Sequence, residues 1–131
     1  MRDIKFRAFD TENKEMLEVQ ELDYEDSPNG QPMVRTTMYN DYFDTEEMIL
    51  MQYTGLKDKN GTEIYEGDIV KVKNCQYHIG KVIFDEEYVE YEIEVNKDII
   101  FPISVCYGDA SELDIEVIGN IYDNPELLGG G

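Results

Sequence analysis

The chain has 131 residues, of which 41% are hydrophobic and 11% aromatic, enough for one domain with its own core. Its 11 basic and 30 acidic residues give a net charge of −19, whereas proteins that bind nucleic-acid backbones need an excess of cationic groups. The charge therefore disfavours nucleic acid as a partner. No apolar run is long enough to span a membrane, so no membrane association is expected.

The amino-terminal segment MRDIKFRAFD alternates charged and apolar residues and lacks the apolar core of a signal peptide. We therefore expect a cytoplasmic protein. In that compartment Cys75 and Cys106 should stay reduced, and two distant cysteines are too few for a disulfide framework.

The amino-terminal part is predicted to form a β-hairpin. Residues 4–8 alternate apolar and basic side chains, residues 10–15 supply turn formers, and the apolar residues of 16–22 indicate a returning strand. Residues 23–44 contain two prolines and one Asn-Gly pair without a steady period, which predicts a long irregular loop. Residues 41–52 are compatible with either a strand or a short helix.

The remainder is predicted to consist of short strands joined by glycine turns. Asn60-Gly61 and Glu66-Gly67-Asp68 mark two tight turns between apolar stretches. Further strands are predicted at 69–73, 78–85, 88–95, 98–107 and 113–122. Strands at such short spacing are typical of a small barrel or sandwich, and DNPELL predicts a short carboxy-terminal helical turn.

Two of these strands carry finer predictions. In residues 88–95 the alternation places Val89, Tyr91, Ile93 and Val95 on the buried face and the intervening glutamates in solvent. Pro102 cannot donate a backbone hydrogen bond, so it predicts that the 98–107 strand lies at a sheet edge or is interrupted.

The residue patterns indicate no catalytic or cofactor chemistry. His78 is the single histidine, and neither a nucleophile elbow nor a cysteine-centred signature accompanies it. Residues 58–66 depart from a calcium loop because Gly61 stands fourth where the pattern needs glycine sixth, and no spacing suits zinc. We therefore predict a non-enzymatic protein without catalytic residues, metal or cofactor.

Four segments carry a family resemblance: IKFRAFD, MQYTGLKDKNGTEIYEGDIVKV, IGKVIF and EVIGNIYDNPELL, in that order. Together they resemble the YopX family of bacteriophage and prophage proteins, with Phe9 at a position where the family pattern commonly has tryptophan. The resemblance implies a mainly β fold with an SH3-like small β-barrel that begins near Ile64, a phage or prophage gene, and action in the cytoplasm of a bacterial host. It implies no reaction.

The predicted organisation is a single YopX-like domain over residues 1–131. The hairpin and irregular loop occupy residues 1–50, and the barrel occupies residues 51–128. We expect a protein-protein interaction module that binds a protein partner or itself. The alternative is an acidic inhibitor, or nucleic-acid mimic, that occupies a basic site on a host or phage protein.

The predicted partner-binding residues cluster around the central turn. They are taken to be exposed, and tyrosine is enriched at protein interfaces. These residues are Tyr53, Lys57, Asp58, Tyr65 and Glu66.

Overall fold

The computed structural model describes residues 5–25, 30–72, 78–106 and 114–128. These residues form mainly antiparallel β structure, which confirms the predicted fold class at that level. The strands are β1 (Phe6–Asp10), β2 (Glu15–Asp23), β3 (Met33–Thr36), β4 (Met48–Lys57), β5 (Glu63–Tyr65), β6 (Asp68–Val72), β7 (His78–Asp85), β8 (Glu90–Asn96), β9 (Ile99–Pro102) and β10 (Ile115–Asn120). No helix in these ranges is both long enough and apolar enough to span a membrane.

The chain divides into two compact units, Met1–Tyr53 and Thr54–Gly131. β4 begins in the first unit and continues into the second, where β5 pairs with it. The predicted single domain over residues 1–131 stays a prediction.

The first unit is built on the predicted hairpin, which is confirmed. β1 and β2 pair antiparallel, with Ala8 opposite Leu17, and β4 pairs along the other edge of β1. The alternating pattern buries Ala8 and Leu17 together with Val34 and Met48 in a small core. The polar side chains between them therefore face away from this core.

The prediction of an irregular loop over residues 23–44 is wrong for Met33–Thr36. These residues form β3, which pairs with β2 and places Leu22 opposite Val34. Val34 also exchanges two backbone hydrogen bonds with Phe43, at 2.7 and 2.8 Å. Local sequence does not reveal this strand, because four residues are too few to show a clear alternation. Residues 26–29 of the predicted loop lie outside the described residues.

The second unit contains an antiparallel sheet in the order β10-β6-β7-β8-β9. Its core is larger than that of the first unit and draws on every strand of the sheet or on the turns beside it. The buried core residues are Ile64, Val70, Val72, Val82, Ile93, Ile103, Cys106 and Ile115.

The predicted barrel is corrected by this topology, because the described residues form two antiparallel sheets and no closed barrel. A barrel closes only when its two edge strands pair, but β10 and β9 stand at opposite edges of the second sheet. β9 ends at Pro102, where a 3-10 turn over Ile103–Cys106 follows. The predicted edge position of the strand that contains Pro102 is confirmed.

Strand β8 confirms the buried side of its predicted alternation except at its start, whereas Glu90, Glu92 and Glu94, which were predicted to face solvent, are half-buried. Ile93 is fully buried, and Tyr91 and Val95 pack against the core. Val89 instead lies in the turn before β8, with a positive φ of 53° and an exposed side chain. The last element of the described residues is a 3-10 turn over Pro125–Leu128.

Substitution of Gly80 tests the packing of the second sheet. A Cβ atom at Gly80 would lie 2.8 Å from the Glu94 carbonyl oxygen and 2.8 Å from Ile93 Cγ2. We expect Gly80→Ala to lower the free energy of unfolding by about 1–3 kcal/mol, because both the strand backbone and a core side chain must shift. Urea unfolding measures this loss, with Ser104→Ala at an exposed position as the control. Equal midpoints for the two variants would contradict the packing at this position.

Candidate functional site

Two of the predicted partner-binding residues are buried, which corrects the expectation that all five are exposed. Tyr53 is only 5% exposed and Asp58 only 6%. The Tyr53 amide donates to the Lys5 carbonyl oxygen at 2.8 Å, and Lys5 Nζ lies 5.6 Å from the centre of the tyrosine ring. Tyr53 is therefore part of a paired strand rather than of an exposed loop.

Asp58 is buried because its carboxylate organises the β4–β5 turn. Oδ1 accepts hydrogen bonds from the amides of Asn60 and Thr62, at 2.8 and 2.9 Å. Oδ2 accepts a third bond from the amide of Val117 in β10, at 2.9 Å. The turn is completed by Gly61, whose φ of +84° is a conformation that glycine adopts at little cost. The carboxylate of Asp58 thus joins a turn to a strand 59 residues further along.

The other predicted residues lie in the second unit with different exposure. Lys57 is exposed, whereas Tyr65 and Glu66 are half-buried. The Tyr65 amide donates to Oδ2 of the buried Asp68 at 2.8 Å, which closes the turn before β6. The partner-binding role of all five residues stays a prediction.

A pocket of about 110 Å³ lies in the first unit beside the β1–β2 turn. Asp10, which is buried, lines it together with Asn13, Tyr39 and Phe43. Asp10 Oδ1 accepts the amides of Glu12 and Asn13, at 3.0 and 3.1 Å. Oδ2 accepts bonds from the Asn13 side-chain amide at 3.0 Å and the Tyr39 hydroxyl at 3.4 Å.

These contacts make the pocket a well-satisfied turn rather than a prepared ligand site. Burial alone would raise the pKa of Asp10, but the hydrogen bonds from Asn13, Glu12 and Tyr39 together hold that pKa below its ordinary value. Both oxygens of this carboxylate therefore already accept hydrogen bonds from nearby groups of the protein.

A second tyrosine of the first unit forms its own exposed network. The Tyr42 hydroxyl donates to Glu21 Oε2 at 2.6 Å, and Arg35 Nη2 bonds Glu21 Oε1 at 2.8 Å. The Tyr42 and Arg35 hydrogen bonds lower the pKa of Glu21. Because this arrangement is exposed, it contributes little to stability.

In the described part of the chain Cys106 is a poor nucleophile, and no cluster of side chains could bind a metal ion. The Cys106 thiol is free and fully buried, and burial together with the nearby Asp114 charge raises its pKa to about 11. Such a thiol is almost entirely protonated at neutral pH. No group of three or more His, Cys, Asp or Glu side chains in the described ranges could hold a metal ion. Cys75 and the side chain of His78 lie outside what the structure describes.

Large apolar side chains are exposed along β7, β9 and the turns next to them. The β7–β8 turn carries the two most exposed, Tyr88 at 70% and Val89 at 72%. The others between Phe84 and Val105 are Phe84 itself, Ile99, Ile100 and Val105. Sequence reasoning missed this surface because it assigned Val89 to the buried face of β8.

Comparison with known proteins identifies similar chains. The family model described as YopX protein matches residues 5–129. The crystal structure of protein EF1440 from Enterococcus faecalis is 32% identical, with a TM-score of 0.62 and coverage of 98% of this chain and 99% of that one. The crystal structure of protein yopX from Bacillus subtilis is 25% identical, with a TM-score of 0.62 and coverage of 100% and 99%. No curated protein matches the chain.

Removing the Asp58 carboxylate tests its structural role. We expect Asp58→Ala to lower the free energy of unfolding by about 2–3 kcal/mol, because three backbone amides lose their acceptor. Asp58→Asn should lose less, since its carbonyl oxygen can still accept from the Asn60 and Thr62 amides, although its NH2 group would face the Val117 amide and leave that donor unsatisfied. Chemical denaturation measures both losses. Glu126→Ala, which removes an exposed carboxylate from the same unit, should change the value by less than about 0.5 kcal/mol. A similar small change for Asp58→Ala would contradict the assignment.

The hydrogen bonds to Asp10 and Glu21 predict two separable titrations. By carboxyl-resolved NMR, Asp10 should titrate below 3.8, and Tyr39→Phe should raise its midpoint because one donor is lost. Tyr42→Phe should raise the Glu21 midpoint and leave Asp10 unchanged. Since the folded pKa of Asp10 is depressed, Asp10 stabilises the fold above its unfolded pKa, and this contribution disappears as the pH falls through the folded pKa. An Asp10 midpoint above 3.8 would contradict the geometry of this turn.

Proposed function

The chain belongs to the YopX protein family, and from that premise we propose that it is a non-enzymatic protein-protein interaction module. The phage or prophage origin and the cytoplasmic location that the family resemblance implies are part of this proposal. The SH3-like character of the second unit stays a prediction from the same resemblance.

One observation carries the proposal: the exposure of large apolar side chains along β7, β9 and the adjacent turns. Adjacent exposed apolar side chains mark sites of association with other proteins. Tyr88 and Val89 are neighbours in the β7–β8 turn at one end of β8, whereas Ile99 and Ile100 lie at the other end of that strand. Tyrosine adds area that can be buried with little loss of side-chain entropy. Tyr88 and Val89 thus provide the centre of an interface.

The electrostatics also favour a protein partner over a nucleic acid. The net charge of −19 repels a polyanion. Lys81, which lies in β7, has its ammonium group 3.3 Å from Glu94 Oε1, so its charge is locally compensated. A partner with apolar groups can bury the exposed side chains without facing this repulsion.

Salt dependence separates the interaction module from the acidic inhibitor. A tagged copy of the protein would be incubated with bacterial lysate, and stoichiometric partners would be identified and purified. For an interface held mainly by apolar contacts we expect the Kd to weaken by less than about tenfold between 0.15 M and 1 M salt, because only charges at its rim are screened. Charge-driven binding should weaken by more than about tenfold, because the Debye length shortens from about 8 to 3 Å.

The control bait is the same protein unfolded in urea and coupled to the resin, which keeps the charge but not the surface. A partner that binds both baits equally would contradict a folded interaction module. A Kd that weakens more than tenfold with salt would favour the acidic inhibitor. Failure to recover any stoichiometric partner would contradict the proposed function.

A further inference from the structure

We propose that the tip of the β7–β8 hairpin, residues Glu86–Val89, is a docking element that inserts Tyr88 and Val89 into an apolar cleft with a basic rim on a partner protein. This inference rests on the proposed function and names the surface that would perform it. It assigns the contact to a segment outside the predicted partner-binding residues.

The apolar side chains at the tip are exposed to solvent and are not buried by the rest of the hairpin. Tyr88 is 70% exposed and Val89 72% exposed, and Phe84 is also exposed one residue before the terminal Asp85–Glu90 pair of the ladder. Phe84 packs edge-to-face on Tyr91 with ring centroids 5.0 Å apart. The two tip side chains therefore project from a base that an aromatic pair holds in place.

The β1–β2 turn of the first unit has the same hydrogen-bond pattern as the β7–β8 turn and serves as a comparison. In both turns an aspartate accepts the amides two and three residues on: Asp10 before Thr11–Lys14, and Asp85 before Glu86–Val89. Both loops end on a residue with positive φ, 58° at Lys14 and 53° at Val89. Lysine satisfies this position with a side chain suited to water. Valine satisfies it poorly, because a β-branched residue is strained at positive φ.

The charges around the tip determine the kind of partner. Glu86 and Glu87 lie in the turn itself, and Asp85 and Glu90 flank it. Glu92 lies close by in β8, where burial, the Asp85 charge and Glu90 raise its pKa. These carboxylates repel one another, so cationic groups placed beside them would relieve the repulsion. An apolar cleft rimmed by lysine or arginine complements both the charge and the apolar tip.

Other occupants fit less well. A second copy of this chain would bring another net charge of −19 to the same place. Nucleic acids and anionic membrane surfaces carry the same sign of charge as the tip. A protein with a basic-rimmed apolar cleft is therefore the occupant that we assign.

A synthetic host with matching chemistry tests the tip before any natural partner has been isolated. Per-6-amino-β-cyclodextrin has an apolar cavity with a rim of ammonium groups, and native β-cyclodextrin has the same cavity without charge. We expect the amino host to bind the full chain about tenfold more tightly than the neutral host, with the largest amide NMR shifts at Glu86–Glu90. Tyr88→Ser should weaken this binding about tenfold.

The matched control is Val105→Ser, since Val105 is 51% exposed but has no carboxylate next to it in the chain. This variant should leave the host affinity unchanged. Equal effects of Tyr88→Ser and Val105→Ser, or the absence of shifts at the tip, would overturn the inference. If a captured protein binds wild type and Tyr88→Ser equally, the proposed function stands and the docking site at the tip is wrong.

Val89→Gly distinguishes a docking role from a purely structural one. Glycine relieves the positive-φ strain of a β-branched residue, and this gain should outweigh the conformational entropy that glycine adds to the unfolded chain, so the thermal midpoint should rise by about 3 °C. The same change removes the apolar contact, so the affinity for the amino host should fall by about threefold or more. A raised midpoint with unchanged affinity would overturn the docking role of Val89, and a lowered midpoint would overturn its assignment as strained.

Discussion

One buried carboxylate joins two parts of the second unit that are far apart in the sequence. Asp58 uses both oxygens to accept amides of its own turn and of Val117, so it fixes the β4–β5 turn against β10. An ionised carboxylate suits this position because it accepts several hydrogen bonds and donates none. A serine or asparagine could satisfy the turn or the strand, but not both with equal geometry.

Aspartate side chains accept backbone amides at other turns as well, so not all of the acidic residues serve only as surface charge. Asp10, Asp44 and Asp85 each accept the amides two and three residues on, and Asn96 and Asn120 do so with a neutral amide oxygen. Some of the acidic residues therefore stabilise turns, because their carboxylates accept hydrogen bonds from backbone amides. The glutamates exposed at the β7–β8 tip have no such duty in the fold.

Local patterns predicted the elements that depend on local information. Alternation located β7 and most of β8, and Gly61 and Gly67 marked real turns, each with φ of 84°. β3 was missed because its four residues are too few to show a clear alternation. The burial of Asp58 was missed because polar residues near turns were taken as exposed. The aspartate two residues before Asn60 is a sequence signal for such a turn.

The candidate site could not be predicted, because its defining feature is a conflict between sequence and conformation. Period-two alternation assigns Val89 to the buried face of β8. In the structure β8 begins only at Glu90, whose pairing with Asp85 is the last of the β7–β8 ladder, so Val89 lies in the turn. A loop that only had to close would be expected to place glycine or asparagine at positive φ, as the chain places glycine at residues 61 and 67. Where a local preference is broken without benefit to the fold, the reason is to be sought in function. Tyr88 and Val89 meet that description, since the folded chain buries neither.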